Sequence, residues 1–154
     1  MLALVFIFNF SLTSCSSDDD SSGSQDTETY IRFSIDGTDY DFSDIATAES
    51  LVITFNGNNG EGFSDTGDTQ LSLWIPLGAE TGTFDVEDSF EATHQVSFTS
   101  DPLGFNFDFA ESGSITLTQA TGEFYEGTFT ATITNNAAET IVLENGTFRA
   151  FTIE

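Results

Sequence analysis

The sequence predicts an all-β domain, and three observations lead to that prediction. Seventeen of the 154 residues are phenylalanine, and Phe with Thr, Ile and Val suits the half-buried surface of a pleated sheet. Short runs of alternating apolar and polar residues recur from Thr29 onwards, separated by Gly, Asn, Asp and Pro. The helical spacing i, i+3, i+4, i+7 is sustained nowhere, and 43–50 offers one or two helical turns at most. We therefore expect little helix.

The chain opens with an apolar segment that ends at a lone cysteine. The run 1–12 is shorter than the ~20 residues of a membrane-spanning helix and fits the hydrophobic region of a secretory signal. Leu12, Thr13 and Ser14 then precede Cys15, the only cysteine of the chain. This order resembles the lipobox of bacterial lipoproteins. The resemblance implies that processing enzymes recognise the motif, that the Cys15 thiol receives a diacylglyceryl group, and that cleavage makes Cys15 the mature N-terminus.

The residues after the cysteine carry a second resemblance. Ser16, Ser17, Asp18, Asp19 and Asp20 resemble the acidic export tag of Bacteroidetes-type surface lipoproteins. That resemblance implies a protein on the outward face of a bacterial outer membrane. Its membrane contact is then a lipid anchor, because each buried CH₂ contributes ~0.8 kcal/mol and two or three acyl chains hold a protein stably.

These segments divide the chain into three parts. We predict a lipoprotein signal peptide at 1–14, a flexible acidic tether at 15–28 and a single β-rich domain at 29–154. The Ser-, Gly- and Asp-rich composition of the tether is typical of a linker. The remaining length suits one domain, since domains commonly hold roughly 100–200 residues.

The first two strands of the domain are predicted to form a hairpin. Apolar residues alternate through 29–35, Asp36 and Gly37 allow the positive φ of a two-residue turn, and Tyr40 and Phe42 resume the alternation. Further strands are predicted at 51–56, 69–75, 83–86, 94–100, 105–109, 114–119, 124–134, 140–144 and 147–153.

About ten strands with short connections indicate antiparallel pairing, because no crossover helix fits between them. We expect a two-sheet antiparallel sandwich, with a closed or partly open β-barrel as the alternative. The segment 128–134 shows how the faces divide. Phe129, Ala131 and Ile133 are predicted to point inward, with the intervening threonines outward.

The last third of the chain resembles a group of small bacterial lipoprotein domains of unknown function. The similar stretches are GSITLTQATGEFYEGTFTATITNN and IVLENGTFRAFTIE, in which a GxITIT-like strand, a GTFxF-like strand and a closing NGTF strand recur. The resemblance implies a β-scaffold on the cell envelope and points to no site residue.

The charge of the chain excludes several classes of partner. Twenty-six acidic side chains face only two arginines, Arg32 and Arg149, for a net charge of −24. Nucleic-acid binding needs a Lys/Arg patch that releases phosphate counterions, and this chain has too few basic residues to form one. An extended basic surface for anionic lipid headgroups is excluded for the same reason. The composition favours an extracellular setting.

Residues for catalysis are scarce, and we predict that the protein is not an enzyme. The chain has one histidine, His94, and no lysine, and lipidation would remove its only thiol. A triad needs a base and an orienting group around such a histidine. Carboxylate pairs at glycosidase spacing arise by chance among so many acids. Asp39 and Asp41, for example, suit a solvated strand face.

Calcium is the one cofactor for which the sequence offers candidates. The glycine-rich segment 56–68 carries oxygen ligands of the type Ca²⁺ prefers, on Asn58, Asn59, Glu61, Asp65 and Asp68. A long polar hairpin loop is the alternative interpretation. A second acidic cluster, with no glycine framework, consists of Asp85, Glu87, Asp88 and Glu91.

Aromatic residues raise the possibility of ligand stacking, with Trp74 as the main candidate. Trp74 alternates with Leu73 and Ile75, so it is exposed or covered by a loop if those two are in the core. We predict a lipid-anchored binding module for a glycan, a peptide or a partner protein. A structural envelope lipoprotein is the alternative, and a glycosidase using two carboxylates is the third hypothesis. Further stacking candidates are Tyr30, Tyr40 and Tyr125.

Overall fold

The computed structural model shows only β-strands as regular elements in the part of the chain that it describes. That part also holds no apolar helix long enough to cross a membrane. The all-β class is therefore confirmed. The predicted signal peptide, Cys15, the export tag and nearly all of the tether lie outside the described residues, which are 28–43, 45–62, 64–89, 91–121 and 123–152.

The described residues form ten strands, and every pair of neighbouring strands is antiparallel. The predicted hairpin is present, with φ of 49° at Asp36 and 78° at Gly37. The strands are β1 (Tyr30–Ile35), β2 (Thr38–Ser43), β3 (Ala46–Glu49), β4 (Val52–Asn58), β5 (Thr69–Pro76), β6 (Gly82–Asp85), β7 (Gln95–Ser100), β8 (Phe105–Ala120), β9 (Phe124–Thr134) and β10 (Thr140–Phe151).

The sheet curls into a half-barrel around the long strand β8. The strand order is β2-β1-β10-β9-β8-β7-β5-β4-β3, and β6 also pairs with β8. The first part of β8, up to Phe109, pairs with β7, whereas the part from Ala110 onwards pairs with β9. One strand thus connects the two arms of the curl. The two-sheet sandwich is not confirmed, and the architecture is nearer to the alternative of a partly open barrel.

Side chains bring the two arms of the half-barrel together. Phe42 of β2 lies against Gly57 of β4, where a Cβ would come within 2.9 Å of the Phe42 ring. The Thr47 hydroxyl of β3 donates to the carbonyl oxygen of Phe151 at the end of β10. Each edge strand therefore contacts the opposite arm, β2 at β4 and β3 at β10, although no ladder of backbone hydrogen bonds joins the arms there among the described pairs.

Aromatic rings from both arms fill the core. Phe33 of β1 stacks on Tyr40 with ring centroids 4.9 Å apart and meets Phe98 of β7 edge-on at 6.1 Å. Phe55 of β4 lies 6.0 Å from Phe148 of β10. Such pairs contribute about 0.5–1.5 kcal/mol each beyond the burial of their area. The two arms therefore share one hydrophobic core.

Three predictions about elements are corrected. The segment 43–50, for which the sequence allows one or two helical turns at most and predicts no strand, contains strand β3, because Ala46–Glu49 pairs with β4. The strands predicted at 105–109 and 114–119 are one strand, as are those at 140–144 and 147–153. Asn145, with φ of 55°, forms a bulge within β10 at the position where the sequence predicts a break between two strands.

Candidate functional site

Trp74 lies on the outer face of the sheet. Alternation along β5 places Leu71, Leu73 and Ile75 in the core and turns Trp74 the opposite way. The indole is partly buried, although no core residue of β5 lies on its side of the sheet.

Phe107 and Phe109 of β8 bring two further rings to Trp74. The ring centroid of Phe109 lies 5.7 Å from that of Trp74 at 87° between planes, and Phe107 lies 6.5 Å from Trp74. The Phe107 and Phe109 centroids are 5.0 Å apart. Because β7 separates β5 from β8, and strands lie ~4.8 Å apart, the rings lean towards each other over β7. We call Trp74, Phe107 and Phe109 the outer aromatic cluster.

The backbone at Phe107 has an unusual conformation. Its φ is 54° and its side chain is 51% exposed. Three residues of β8 span the distance of two residues of β7 here, and the Phe107 N–H donates to Thr99 Oγ1 at 3.0 Å. A left-handed conformation costs a bulky residue about 1–3 kcal/mol and is concentrated at functional sites. The bulge turns Phe107 outward to join Trp74.

Ser97 of β7 lies beneath this cluster. It is 2% exposed and pairs with Ser72 of β5 on one side and Phe109 of β8 on the other. Its Oγ is buried and has no hydrogen-bond partner among the described residues, and the same holds for Trp74 Nε1. A buried polar group without a partner costs about 1–3 kcal/mol. One such group therefore lies in the outer aromatic cluster and a second lies beneath it.

The outward positions of β4, β5 and β7 carry no ionisable side chain, whereas β8 places Asp108 and Glu111 near Phe109 in sequence. Three such strands are unusual in a chain with 26 acidic residues. By contrast, the outer side of the other arm carries Arg32, Asp41 and Glu126. We call the outward residues of β4, β5 and β7, together with Phe107 and Phe109, the neutral face: Val52, Thr54, Asn56, Asn58, Gln70, Ser72, Trp74, Pro76, Gln95, Ser97 and Thr99.

The predicted calcium loop between β4 and β5 uses its oxygens internally. Asn59 Oδ1 accepts from the N–H groups of Asp68 and Thr69 at 3.1 and 3.0 Å, and Asn59 Nδ2 donates to Asp68 Oδ1 at 2.7 Å. These side-chain bonds, from Asn59 first and Thr69 second, lower the pKa of Asp68. Asp65 Oδ1 likewise accepts from the Gly67 N–H at 3.0 Å.

The remaining candidates of that loop line a cavity. Asn58 and Glu61 border a space of about 530 Å³ together with Asp41 of β2. Asn58 Oδ1 already accepts from the Gly60 N–H at 3.0 Å. The described residues contain no group of three or more His, Cys, Asp or Glu side chains placed to hold a metal ion. A calcium site here stays a prediction.

The second acidic cluster surrounds the only histidine. Asp85, Glu87 and Glu91 line a cavity of about 470 Å³ with His94. The imidazole stacks on Phe84 with centroids 4.1 Å apart and 6° between planes, and His94 Nδ1 lies 3.1 Å from the Thr93 hydroxyl. Burial lowers the pKa of His94, so the ring is mainly neutral at pH 7.

The three tyrosines do not join Trp74. Tyr40 stacks on Phe33, and Tyr125 lies against Phe55 with centroids 5.8 Å apart. Tyr30 lies under the Arg32 guanidinium, 4.2 Å from ring centroid to Cζ. Of the residues that the sequence offered for stacking, only Trp74 lies on the neutral face.

Sequence reasoning missed the partners of Trp74. The pairing of β7 with β8 and the bulge at Phe107 bring Phe107 and Phe109 next to Trp74. Neither the pairing nor the bulge can be recognised from the local sequence. The one available hint was the run Phe105-Asn106-Phe107-Asp108-Phe109, which is richer in aromatic residues than a buried strand needs.

Comparisons with protein-family models, with curated proteins and with solved structures give no match to this chain. Any functional proposal must therefore come from the chain's own residues.

Proposed function

We propose that this protein is a non-catalytic binding module whose binding surface is the neutral face. The observation that supports this is a partly exposed aromatic cluster on an uncharged sheet face of a domain with net charge −24. Aromatic residues are enriched at binding surfaces because they offer large contact areas with few rotatable bonds. The absence of charge on this face favours an uncharged ligand surface, either a glycan or a protein.

The experiment is a comparison of retention on two arrays, one of neutral and acidic glycans and one of uncharged peptides and proteins. Trp74→Ala should reduce retention at least tenfold, or about 1.4 kcal/mol. Phe151→Ala is the matched control, since Phe151 is also a partly exposed aromatic residue but lies on β10 and is not one of the residues of the neutral face.

Two results would contradict the binding role. One is an absence of retention on both arrays, which would favour the alternative of a structural envelope lipoprotein. The other is retention that falls equally in Trp74→Ala and Phe151→Ala, which would place the binding surface elsewhere.

The same proposal includes a lipid anchor at Cys15 on the outer membrane, facing outward. Its support is the order of segments in the sequence: an apolar run, the motif Leu12-Thr13-Ser14, the cysteine and the acidic Ser16–Asp20 tag. A β-domain held by acyl chains on a tether would present its neutral face to the surroundings of the cell.

The anchor is tested by expression with an azide-bearing fatty acid. The parent protein should become labelled and remain with the membrane fraction. Cys15→Ala should be unlabelled and should retain residues 1–14, because its motif is no longer processed, whereas Ser22→Ala, in the tether but outside both motifs, should behave as the parent. An unlabelled parent protein in the soluble fraction would contradict the anchor but leave the binding role open to its own test.

A further inference from the structure

Two unpartnered polar atoms, one in the outer aromatic cluster and one beneath it, define what a ligand must supply. Trp74 Nε1 is a donor only, so it requires an acceptor, and Ser97 Oγ can donate or accept. A hydroxyl group satisfies either one. The side chains around them add amides and further hydroxyls, on Asn56 and Ser72, which already share a hydrogen bond of 2.7 Å.

A peptide strand is a poor occupant of this face. Extended peptides bind at sheet edges, where unpaired backbone N–H and C=O groups are free to form a new ladder. The strands that carry the cluster, β5 and β7, are paired on both sides. The neutral face therefore offers side chains and ring faces alone. Polyanionic ligands are disfavoured by the net charge of −24.

We propose that the neutral face binds an uncharged saccharide, an inference that rests on the proposed binding function. The C–H face of a sugar ring packs on the ring of Trp74, and its hydroxyls hydrogen-bond to Ser97 Oγ and Trp74 Nε1. Both polar atoms are buried, so a neighbouring side chain must move to admit the sugar, and Phe107, the most exposed ring of the cluster, is the one that moves. Phe107 is suited to that movement because half of its side chain is already in solvent.

The deciding variant is Ser97→Ala. Neutral polysaccharides (glucan, mannan, galactan and xylan) and their oligosaccharides serve as probes for the purified protein, with Kd measured by calorimetry for those retained. Ser97→Ala should weaken Kd about three- to tenfold, which corresponds to one neutral hydrogen bond. Trp74→Phe keeps a ring but loses the N–H, and should also weaken binding.

Ser100→Ala is the matched control. Ser100 lies on the same strand but on the inner face, where its Oγ lies 3.2 Å from Thr69 Oγ1 in a hydrogen bond. This variant should lose stability and keep the parental Kd. A general loosening of β7 would instead weaken binding in both variants, which would contradict a direct role for Ser97.

The outcomes separate this inference from the proposed function. Retention of peptides but of no saccharide, with loss in Trp74→Ala, would leave the binding module standing and overturn the saccharide. Saccharide binding with the parental Kd in Ser97→Ala would also overturn it. No Trp74-dependent retention of any probe would overturn both.

Discussion

Ser97 combines two properties that rarely occur together. Its side chain is almost fully buried, yet its hydroxyl has no hydrogen-bond partner in the described part of the chain. Residues that lower the stability of the fold and make no compensating interaction are commonly kept for function. Replacing Ser97 by alanine is therefore expected to raise the stability of the protein and to weaken its binding of ligand.

Ser97→Ala should raise the free energy of unfolding by about 1 kcal/mol, because it removes an unsatisfied hydroxyl and leaves the packing of Trp74 and Phe109 in place. Ser100→Ala should lower the same quantity by about 1 kcal/mol, since it breaks the bond to Thr69. Urea titrations of both variants provide the measurement. A loss of stability in Ser97→Ala would mean that its hydroxyl has a partner.

His94 makes stability depend on pH. Burial lowers its pKa in the folded protein, whereas the unfolded chain titrates near 6.5. Below pH 6.5 the unfolded state therefore takes up the proton first. The contribution of the neutral His94 imidazole to stability is present above about pH 6.5, and it is lost as the pH falls through the pKa of His94 in the folded protein.

The measurement is an NMR titration of the imidazole, which is unambiguous in a chain with one histidine. The parent protein should also lose more stability than His94→Asn between about pH 7 and about pH 5. An imidazole pKa at or above 6.5 would contradict this, and would show that Asp85, Glu87 and Glu91 outweigh burial.

Single residues on the neutral face were only partly predictable. Alternation around Trp74 gave its outward direction, because β5 is regular. In 105–109, strict alternation would place Phe105, Phe107 and Phe109 on one face. The structure instead buries Phe105 and turns the other two outward, because the bulge at Phe107 inserts an extra residue.

Among the strands, β8 determines how the sheet curls. At Gly113, φ is 146° and a Cβ would lie 2.1 Å from the Thr130 carbonyl oxygen of β9. The backbones of β8 and β9 approach so closely only because this residue has no side chain. The close pairing of β8 with β9 therefore requires glycine at this position.

Gly113→Ala should lower the free energy of unfolding by about 3 kcal/mol, because the clash is with backbone and cannot be relieved by a side-chain rotation. Gly37→Ala is the control. Its φ is also positive, at 78°, but a Cβ there meets nothing within 4 Å. That variant should lose about 1 kcal/mol, through backbone strain alone. Equal losses in urea denaturation would remove the steric argument.

The elements that sequence reasoning found are those with local causes. The Asp36-Gly37 turn is one, since both residues adopt the positive φ that a two-residue hairpin needs. Strand β3 has no local cause. Ala46–Glu49 lacks β-branched alternation, and its pairing with β4 is a tertiary effect. Asn145 and Gly146 are a turn signal in isolation, but β1 and β9 on either side keep β10 continuous.

For the whole molecule, closure of the half-barrel depends on a small contact between its arms. Gly57→Ala should lower stability by about 1–3 kcal/mol, since its Cβ would lie 2.9 Å from Phe42 Cδ2 and 3.1 Å from Ile45 Cδ1. Thr54→Ala, on the outer face of β4, is the control and should cost less than about 1 kcal/mol. Thermal unfolding of both variants measures the difference. A neutral Gly57→Ala would mean that the arms are not held there.

Charge is distributed unevenly over the molecule. Added salt should therefore change the melting temperature of the protein but not the Kd of a ligand on the neutral face. A net charge of −24 opposes the compact state, and salt screens that repulsion with a Debye length of ~10 Å at ~0.1 M. NaCl should therefore raise the melting temperature between about 0.02 M and about 0.5 M. Sodium perchlorate is the control, because it screens charge as NaCl does but weakens hydrophobic burial. It should raise the melting temperature as much as NaCl does at the low end of that range, where screening dominates.

The neutral face has no ionisable outward side chain on β4, β5 or β7, so an uncharged saccharide bound there loses no ion pair when salt is added. The Kd for such a probe should stay within about twofold over the same range of NaCl, while stability rises. Calorimetry and thermal unfolding on one set of samples test both. A Kd that weakens steeply with salt would show that binding uses the acidic surface, and a constant melting temperature would show that self-repulsion is not a significant term in folding.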